Sequence, residues 1–367
     1  MSLAHKKPEV CLILDVQSTL VRGIIVLLEE KEPKVIFSTE TGANIDPEQN
    51  STDLAKNIIK AVKETVKVCL ENFRAKLAGP EKELLPHKIA SVHYALSTPW
   101  IVSQAEIISA SFEKETTITK KHVLAMIDKE RSKAVPSNSA PLQIIEQKIF
   151  DVRLNGYSVT DWQDKNAKNL EVAFAVSIAG TSMVQYLLDE CRPVASSGHI
   201  HFHSALLLKL IGVEKALNLG ENFNLIYVHG EMTDLAVIER HSCIFFGSLP
   251  IGSITLGRMV AESAKCDRQA ADSLISLYFS NQLDKSSGKD QSAAVKESIA
   301  KWGEGVSKLI ADSKVPLASS NAIVLSAGHL NDFFGQAVAT VYPKSKISFV
   351  PAEDFLPTAI HSLNLSE

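Results

Sequence analysis

The chain has 367 residues, a formal net charge of -4 and a pI near 6.3. That length exceeds one ordinary core and fits two domains, and 45% hydrophobic with 22% charged residues is a globular composition. The slight net negative charge, without a basic stripe interleaved with aromatic residues, argues against nucleic-acid binding.

Cysteine usage and hydropathy favour a cytoplasmic protein. The cysteines form no CxxC pair and lie mostly in apolar runs, as is typical of the reducing cytosol. They are Cys11, Cys69, Cys191, Cys243 and Cys266. The basic residues 1–7 precede no signal-peptide-like apolar stretch, and no uninterrupted apolar segment is long enough to span a bilayer. We therefore expect no direct membrane insertion.

The first elements predict a sheet covered by a helix. Short β-rich runs at 10–16, 22–30 and 34–40 alternate with polar turns and predict a three-stranded antiparallel meander. Between residues 54 and 77, apolar side chains recur every three or four positions, which predicts a helix with one apolar face that ends at Gly79-Pro80.

The segment from residue 87 to 178 has a different character. Its strands surround a helix predicted at about 119–133, which is enough for a small α+β subdomain with its own core. Residues 179–214 then return to the first domain through two helices.

The second half repeats the first. Predicted strands at 222–228, 234–238 and 243–249 precede a helical region at about 254–318, and a buried strand at 322–326 follows. This repetition predicts a structural duplication. The domain prediction places the first domain at 1–86 and 179–214, the inserted subdomain at 87–178 and the second domain at 215–367.

The hairpin at 15–22 is a candidate phosphate clamp. Backbone N–H groups and the hydroxyls of Ser18 and Thr19 are suited to phosphate, and Asp15 to a hydrated magnesium ion. The alternative is an ordinary hairpin with an exposed aspartate, because short polar turns are common.

Two further turns are weaker candidates. Gly230, Thr233 and Asp234 follow a second apolar strand, but Glu231 at the tip would repel a phosphate, which favours a plain turn. Gly328 follows the buried strand at 322–326 and precedes a helix, the topology of an anion-binding helix N-terminus. A simple tight connection is the alternative.

A histidine pattern suggests a metal site. His199, His201 and His203 alternate with apolar residues, so an extended chain would place the imidazoles on one face about 7 Å apart. HxH pairs bind zinc in some hydrolases. No carboxylate or cysteine pattern completes a set of metal ligands. This favours the alternative that the histidines lie on the polar face of a strand or of a segment that leads into a helix.

The order of these parts resembles the actin-like ATPases, in particular the cell-division protein FtsA and the pilus-assembly protein PilM. Residues 12–22 and 227–237 resemble their two phosphate segments, residues 249–255 the turn that follows the second, and residues 323–329 the adenosine segment. The insert at 87–178 lies where those two proteins carry one. The resemblance implies an α/β, two-domain actin-like (ribonuclease H-like) fold with an inserted small α+β subdomain.

The resemblance also implies ATP with magnesium as the ligand. The cofactor-binding residues carried over are Asp15, Ser18, Thr19, Gly230, Thr233, Asp234 and Gly328. In the first phosphate segment this chain has Gln17 where the family usually has a glycine, and in the second it has Tyr227 where the family has an acidic residue. On the helices after the second phosphate segment, the glutamate and lysine of the family correspond at best to Asp272 and Ile275. These departures predict a pseudo-ATPase with no catalytic residues.

Residues 355–365 fit the last helix of the fold rather than an amphipathic membrane tail, which favours the PilM type. The resemblance implies a cytoplasmic scaffold in pilus or secretion assembly, or in cell division. Such a scaffold would bind the cytoplasmic peptide of a membrane protein, be recruited to the inner membrane face by that partner, and self-associate. The alternative is an active ATPase or phosphotransferase on the same fold, with Asp15 and Asp234 handling magnesium and water.

Overall fold

The computed structural model describes residues 8–43, 51–80, 85–134, 141–195, 197–217, 219–283, 288–313, 321–326, 330–343, 346–351 and 355–366. The strands, in chain order, are β1 (Glu9–Val16), β2 (Leu20–Leu28), β3 (Pro33–Gly42), β4 (Ile89–Leu96), β5 (Ile101–Thr117), β6 (Leu142–Leu154), β7 (Tyr157–Ser158), β8 (Asn166–Gly180), β9 (Ile200–Ser204), β10 (Phe223–Val228), β11 (Thr233–Glu239), β12 (Ser242–Leu249), β13 (Asn321–Ser326) and β14 (Lys346–Pro351). The helices are α1 (Ser51–Ala78), α2 (Lys120–Ala134), α3 (Thr181–Cys191), α4 (Ala205–Ala216), α5 (Ser253–Ala264), α6 (Arg268–Phe279), α7 (Gly288–Ser313), α8 (Asn331–Val341) and α9 (Phe355–Ser366).

Two five-stranded sheets share one topology, as the predicted duplication requires. Their strand orders are β3-β2-β1-β4-β9 and β12-β11-β10-β13-β14. In each, a three-stranded antiparallel meander is followed by two strands that add in parallel. A third sheet, with the order β5-β8-β6-β7, belongs to the insert. This architecture confirms the predicted two-domain α/β fold with an inserted subdomain.

Strand β1 is buried on both faces, which explains its nearly continuous apolar sequence. Leu12 and Leu14 join the core cluster under α1, whereas Cys11 and Ile13 point to the opposite face and pack with α4 and α9. The period-two alternation of a strand therefore divides β1 between two helical layers.

Helix α4 lies between the two large sheets. Leu207 and Leu210 pack against the second sheet, and Ala205 and Leu208 pack against the first. A helix that is apolar all round is one that is buried all round. This sandwiched helix supplies a buried lysine to the cleft described below.

Two boundaries differ from the prediction. Strand β4 falls in the predicted insert 87–178, but it pairs in parallel with β1 in the first sheet, so the third sheet begins only at Ile101. Helix α9, at the end of the predicted second domain 215–367, packs on the first domain, where Leu356 and Ile360 join the cluster with Cys11. The parallel pairing of β4 with β1 and the packing of α9 on the first domain both join segments that are distant in sequence. Local sequence patterns do not reveal such contacts.

The remaining helices cover the sheets. Helix α2 packs on the third sheet through Val123 and Ile127, and α5 to α8 cover one face of the second sheet around Trp302. In the described part of the chain, no helix is long and apolar enough to cross a membrane.

Candidate functional site

The two predicted hairpins meet in the cleft between the large sheets. The first joins β1 to β2 and the second joins β10 to β11. They touch at Gly230, where an added Cβ would collide with Thr19 Oγ1 and lie 2.8 Å from Ser18 Oγ. Only glycine fits this contact, which is a steric requirement between two turns and not a cradle for an anion.

His229 fills the space between the hairpins and is almost fully buried. Its Nδ1 lies 3.4 Å from Ser18 Oγ, and its Nε2 lies 3.1 Å from Asp234 Oδ2 and 3.4 Å from Thr98 Oγ1. The carboxylate only accepts, so Nε2–H donates to Asp234 and Nδ1 accepts from the Ser18 hydroxyl. Ser18 Oγ in turn accepts the backbone N–H of Glu231 at 2.9 Å.

Asp234 is the acceptor at the centre of this network. Thr98 and Ser248 each donate a hydroxyl to its Oδ1 at 2.7 Å, while His229 binds Oδ2. Thr98 belongs to the first domain and Asp234 to the second, so this hydrogen bond joins the domains. The Asp234 carboxylate is satisfied within the protein.

Asp15 is held by a buried cation. Lys209 Nζ of α4 lies 3.3 Å from Asp15 Oδ2 and 4.6 Å from the centre of the Tyr227 ring. Gln17 Nε2 donates to the same oxygen at 3.1 Å, and Asp15 Oδ1 has no hydrogen-bond partner among the described residues. Tyr227 stacks on His229 at 4.8 Å between ring centres, which connects this ion pair to the network of Asp234.

Glu231 faces away from the cleft. Its carboxylate accepts two hydrogen bonds from Arg258 of α5, at 2.6 and 2.5 Å, and one from Thr255 at 2.6 Å. Burial alone would raise the pKa of this carboxyl, but the hydrogen bonds from Arg258 and Thr255 outweigh burial, and the pKa lies below its ordinary value. Glu231, whose charge argued against a phosphate-binding turn in the sequence, thus anchors the second hairpin to α5.

Thr233 has a structural role in this arrangement. Its hydroxyl donates to Ile251 O at 2.7 Å and accepts from Trp302 Nε1 at 3.0 Å. Both its donor and its acceptor function are therefore used inside the second domain. Gly328, the remaining predicted site residue, lies outside the described residues.

The structure brings six of the seven predicted residues together and adds three that the prediction missed, namely Lys209, His229 and Thr98. The sequence contains one signal that could have identified Lys209, because it is the single charged residue in the apolar run at 205–213. Thr98 had none, since its partner Asp234 is 136 residues away.

The closed cleft does not fit a triphosphate with magnesium. The hairpins that would have to enclose the phosphates are in contact through Gly230 and Thr19. A magnesium ion at Asp15 would meet the positive charge of Lys209, which already neutralises that carboxylate. ATP with magnesium therefore stays a prediction that depends on the hairpins separating.

Ser18, His229 and Asp234 have the composition of a nucleophilic triad, but access to them is blocked. The Ser18 side chain is covered by Gly230, and Ser18 itself is 1% exposed. The Ser18 hydroxyl oxygen also accepts the Glu231 N–H, so a lone pair that would attack a substrate carbonyl is already engaged.

A separate groove lies between the insert and the first domain. It has a volume of about 800 Å³. We call it the histidine groove, and its lining is Glu9, Ala90, Ser91, His93, Ile145, Glu146, Gln147, Lys148, Gly198, His199, Ile200, His201, Phe202, His203 and Leu363.

The imidazoles of this groove form a directed chain of hydrogen bonds. His203 Nδ1 donates to Glu146 Oε1 at 3.0 Å, and His93 Nδ1 donates to His203 Nε2 at 3.2 Å. Ser91 Oγ lies 3.0 Å from His93 Nε2 and donates to it. Burial, and then the neighbouring His203 and His201, lower the pKa of His93 to about 2.

The histidine prediction is corrected in one respect. His201 and His203 are on β9, but His199 belongs to a 3-10 turn before it, so the three do not share one strand face. His93 of β4 takes the third place in the stack. Among the described ranges of the chain, no group of three or more His, Cys, Asp or Glu side chains is arranged to hold a metal ion.

No protein-family model matches the chain, and no curated protein matches it in sequence. A solved structure titled as the PilM–PilN type IV pilus biogenesis complex is similar in fold, with a TM-score of 0.56 and 13% identity over 93% of this chain and 88% of that one. The chain has an actin-like ATPase fold. This likeness, at 13% identity, establishes the fold alone.

Two further solved structures resemble the chain less closely. The ethanolamine utilization protein EutJ from Carboxydothermus hydrogenoformans has a TM-score of 0.46 and 12% identity over 97% of this chain and 90% of that one. A protein of Bacteroides thetaiotaomicron VPI-5482 with an actin-like ATPase fold and unknown function has a TM-score of 0.44 and 8% identity over 96% of each chain.

Proposed function

We propose that the chain is a non-catalytic actin-like scaffold that binds an extended cytoplasmic peptide of a membrane protein in the histidine groove. The observation that carries the proposal is that two strand edges line this groove. Strand β9 ends the first sheet and pairs only with β4 among the described strands. Strand β6 pairs with β7 at Arg153 and Leu154, and Val152 O accepts the Val159 N–H, so residues 142–151 pair with no strand on that side in the described part of the chain.

Unpaired strand edges are binding surfaces for extended peptides. A row of free N–H and C=O groups lets a partner add as a further strand, and pockets for alternate side chains supply specificity. Ile145 to Lys148 of β6 and Ile200 to His203 of β9 line the same groove. A peptide seated there would contact both the insert and the first domain.

The groove has the chemistry to select its peptide. Ile145, Phe202 and Leu363 supply apolar surface beside Lys148 and the imidazoles. The Glu146 carboxylate is already used by His203 Nδ1 and by the backbone N–H of Ser204. The charged side chains of the lining that remain are Lys148 and Glu9, which have opposite signs. The groove therefore favours a peptide whose contacts are mainly apolar.

The fold likeness supports this type of function. The similar structure is titled as a complex of PilM with PilN in type IV pilus biogenesis, and we extend partner binding to this chain as a proposal. Pilus or secretion assembly is then the favoured process, with the chain held at the cytoplasmic face of the inner membrane by its partner. Self-association and a role in cell division stay predictions.

An active ATPase or phosphotransferase on the same fold is the alternative. It would require Asp15 to hold magnesium, but Lys209 pairs with that carboxylate inside a closed cleft. The proposal therefore assigns binding, and not turnover, to the chain.

A steric block of the groove tests the proposal. Peptides displayed in a random library would be selected on the wild-type protein, and the affinity of the best peptide measured by fluorescence anisotropy. Gly198 lines the groove and has open space where a side chain would begin, so Gly198→Trp should weaken binding by at least about tenfold.

Gly42→Trp is the matched control, because Gly42 on β3 also has open space at its Cβ position but lies outside the groove lining. It should leave the peptide affinity unchanged. Selected peptides that bind Gly198→Trp as tightly as the wild type would place the interaction elsewhere and refute the groove assignment.

A further inference from the structure

The cleft is closed by hydrogen bonds that cross from one domain to the other. Ser18 Oγ of the first domain accepts the Glu231 N–H at 2.9 Å, and Thr98 of the first domain donates to Asp234 at 2.7 Å. His229 reaches both first-domain hydroxyls at 3.4 Å. We call Ser18, Thr98, His229 and Asp234 the interdomain clasp.

We propose that the clasp is an internal ligand, which holds the two domains closed without nucleotide and makes the closed state independent of ATP. The imidazole and carboxylate occupy the place between the two hairpins and bind both sides of it. This inference does not depend on the peptide-binding proposal, since no clasp residue lines the histidine groove.

The burial of the interdomain clasp strengthens its hydrogen bonds. His229, Asp234 and Ser18 are at most 3% exposed. Hydrogen bonds in such a low-dielectric environment are stronger than in water and reinforce one another along a chain. Interfaces between domains are mobile by default, so a buried polar network across one is a specific source of rigidity.

The clasp also limits what a nucleotide can do. A ligand that binds only the open cleft has its apparent affinity reduced by the fraction of molecules that are open. The phosphate position is reached only after the hairpin of Gly230 leaves Thr19, which breaks the Ser18 and Thr98 hydrogen bonds to the second domain. Nucleotide would thus oppose the closed state.

Hydrogen exchange across the interface tests the clasp. Thr98→Val deletes a hydroxyl on the first domain only, so a clasp predicts faster amide exchange in the second-domain hairpin 229–232. We expect an increase of about five- to thirtyfold at Glu231, relative to the amides of β10 in the same molecule. Ser18→Ala, which removes the acceptor of the Glu231 N–H, should give a similar increase.

His361→Gln is the matched control for the loss of a buried first-domain contact. His361 Nε2 bonds to Glu29 O, far from the hairpins in sequence, and its variant should leave exchange at 229–232 unchanged relative to β10. Millimolar ATP with magnesium should not slow wild-type exchange, because a nucleotide that enters only the open cleft opposes closure. Equal exchange at Glu231 in Thr98→Val and wild type, or slower wild-type exchange with ATP and magnesium, would overturn the inference.

Discussion

Lys209 Nζ lies 3.3 Å from Asp15 Oδ2, and neither residue is more than 2% exposed. This pair occupies the place where the resemblance to actin-like ATPases implied a carboxylate for magnesium. Breaking a buried ion pair on one side is costly, because the remaining charge is left without compensation.

We predict that Lys209→Met lowers the free energy of unfolding by about 3–5 kcal/mol. The double variant Asp15→Asn with Lys209→Met should be less destabilised than the sum of the single variants, since it buries no lone charge. Urea unfolding followed by circular dichroism measures all three. Additive losses would show that the two side chains do not act as a pair.

The contact at Gly230 leads to a steric prediction. Gly230→Ala places a methyl group against Thr19 and Ser18, and it should destabilise the protein by about 1–3 kcal/mol. Gly42→Ala is the control, because its Cβ would meet nothing within 4 Å. Thermal unfolding of the two variants should differ clearly. Equal melting temperatures would mean that the hairpins are not in contact.

The His93 imidazole gives the protein an acid-sensitive step. Its pKa is lowered from 6.5 to about 2, so below pH 6.5 the unfolded chain takes up a proton that the folded chain does not. The contribution of His93 to the free energy of unfolding is therefore fully present above pH 6.5. It falls as the pH drops, by at most about 1.4 kcal/mol per pH unit for one group. The groups that face His93 are His201 and His203 of β9, with Glu146 of β6 behind His203.

His93→Gln removes the ionisable group and keeps a side chain that hydrogen-bonds. We predict that the loss of unfolding free energy between pH 6.5 and 5 is smaller in this variant than in the wild type. Urea titrations at each pH measure it. A slope as steep in His93→Gln as in the wild type would assign the acid sensitivity to other groups.

Trp302 depends on Thr233 for its only described hydrogen bond. Thr233→Val leaves the buried Trp302 N–H without an acceptor and should cost about 1–3 kcal/mol in unfolding free energy. Thr233→Ser keeps the hydroxyl and should recover most of the loss. If serine and valine are equally destabilising, the lost methyl packing and not the hydrogen bond is responsible.

The sequence was informative where the pattern is local. The two hairpins, the helix α1 and the duplicated order of elements follow from period-two and period-3.6 patterns with turn residues between them. The six described site residues lie together because each hairpin follows an equivalent strand. Their conformation was not predictable, since an open and a closed cleft have the same turn residues.

Long-range partners explain what the prediction missed. Strand β4 pairs with β1 in parallel about 80 residues away, so it was assigned to the insert. Lys209 is hidden in an apolar helix that contacts both sheets, and Thr98 meets His229 across 131 residues. Sequence patterns indicate which residues are buried, but not which distant charge or hydroxyl each one meets.

The measurement that tests the central claim most directly is isothermal titration of the wild-type protein with ATP and magnesium, alongside Asp15→Ala. A cleft closed by its own side chains predicts no binding heat up to millimolar nucleotide and no increase in melting temperature, because a ligand stabilises only in proportion to its occupancy. Micromolar affinity that is lost in Asp15→Ala would contradict it.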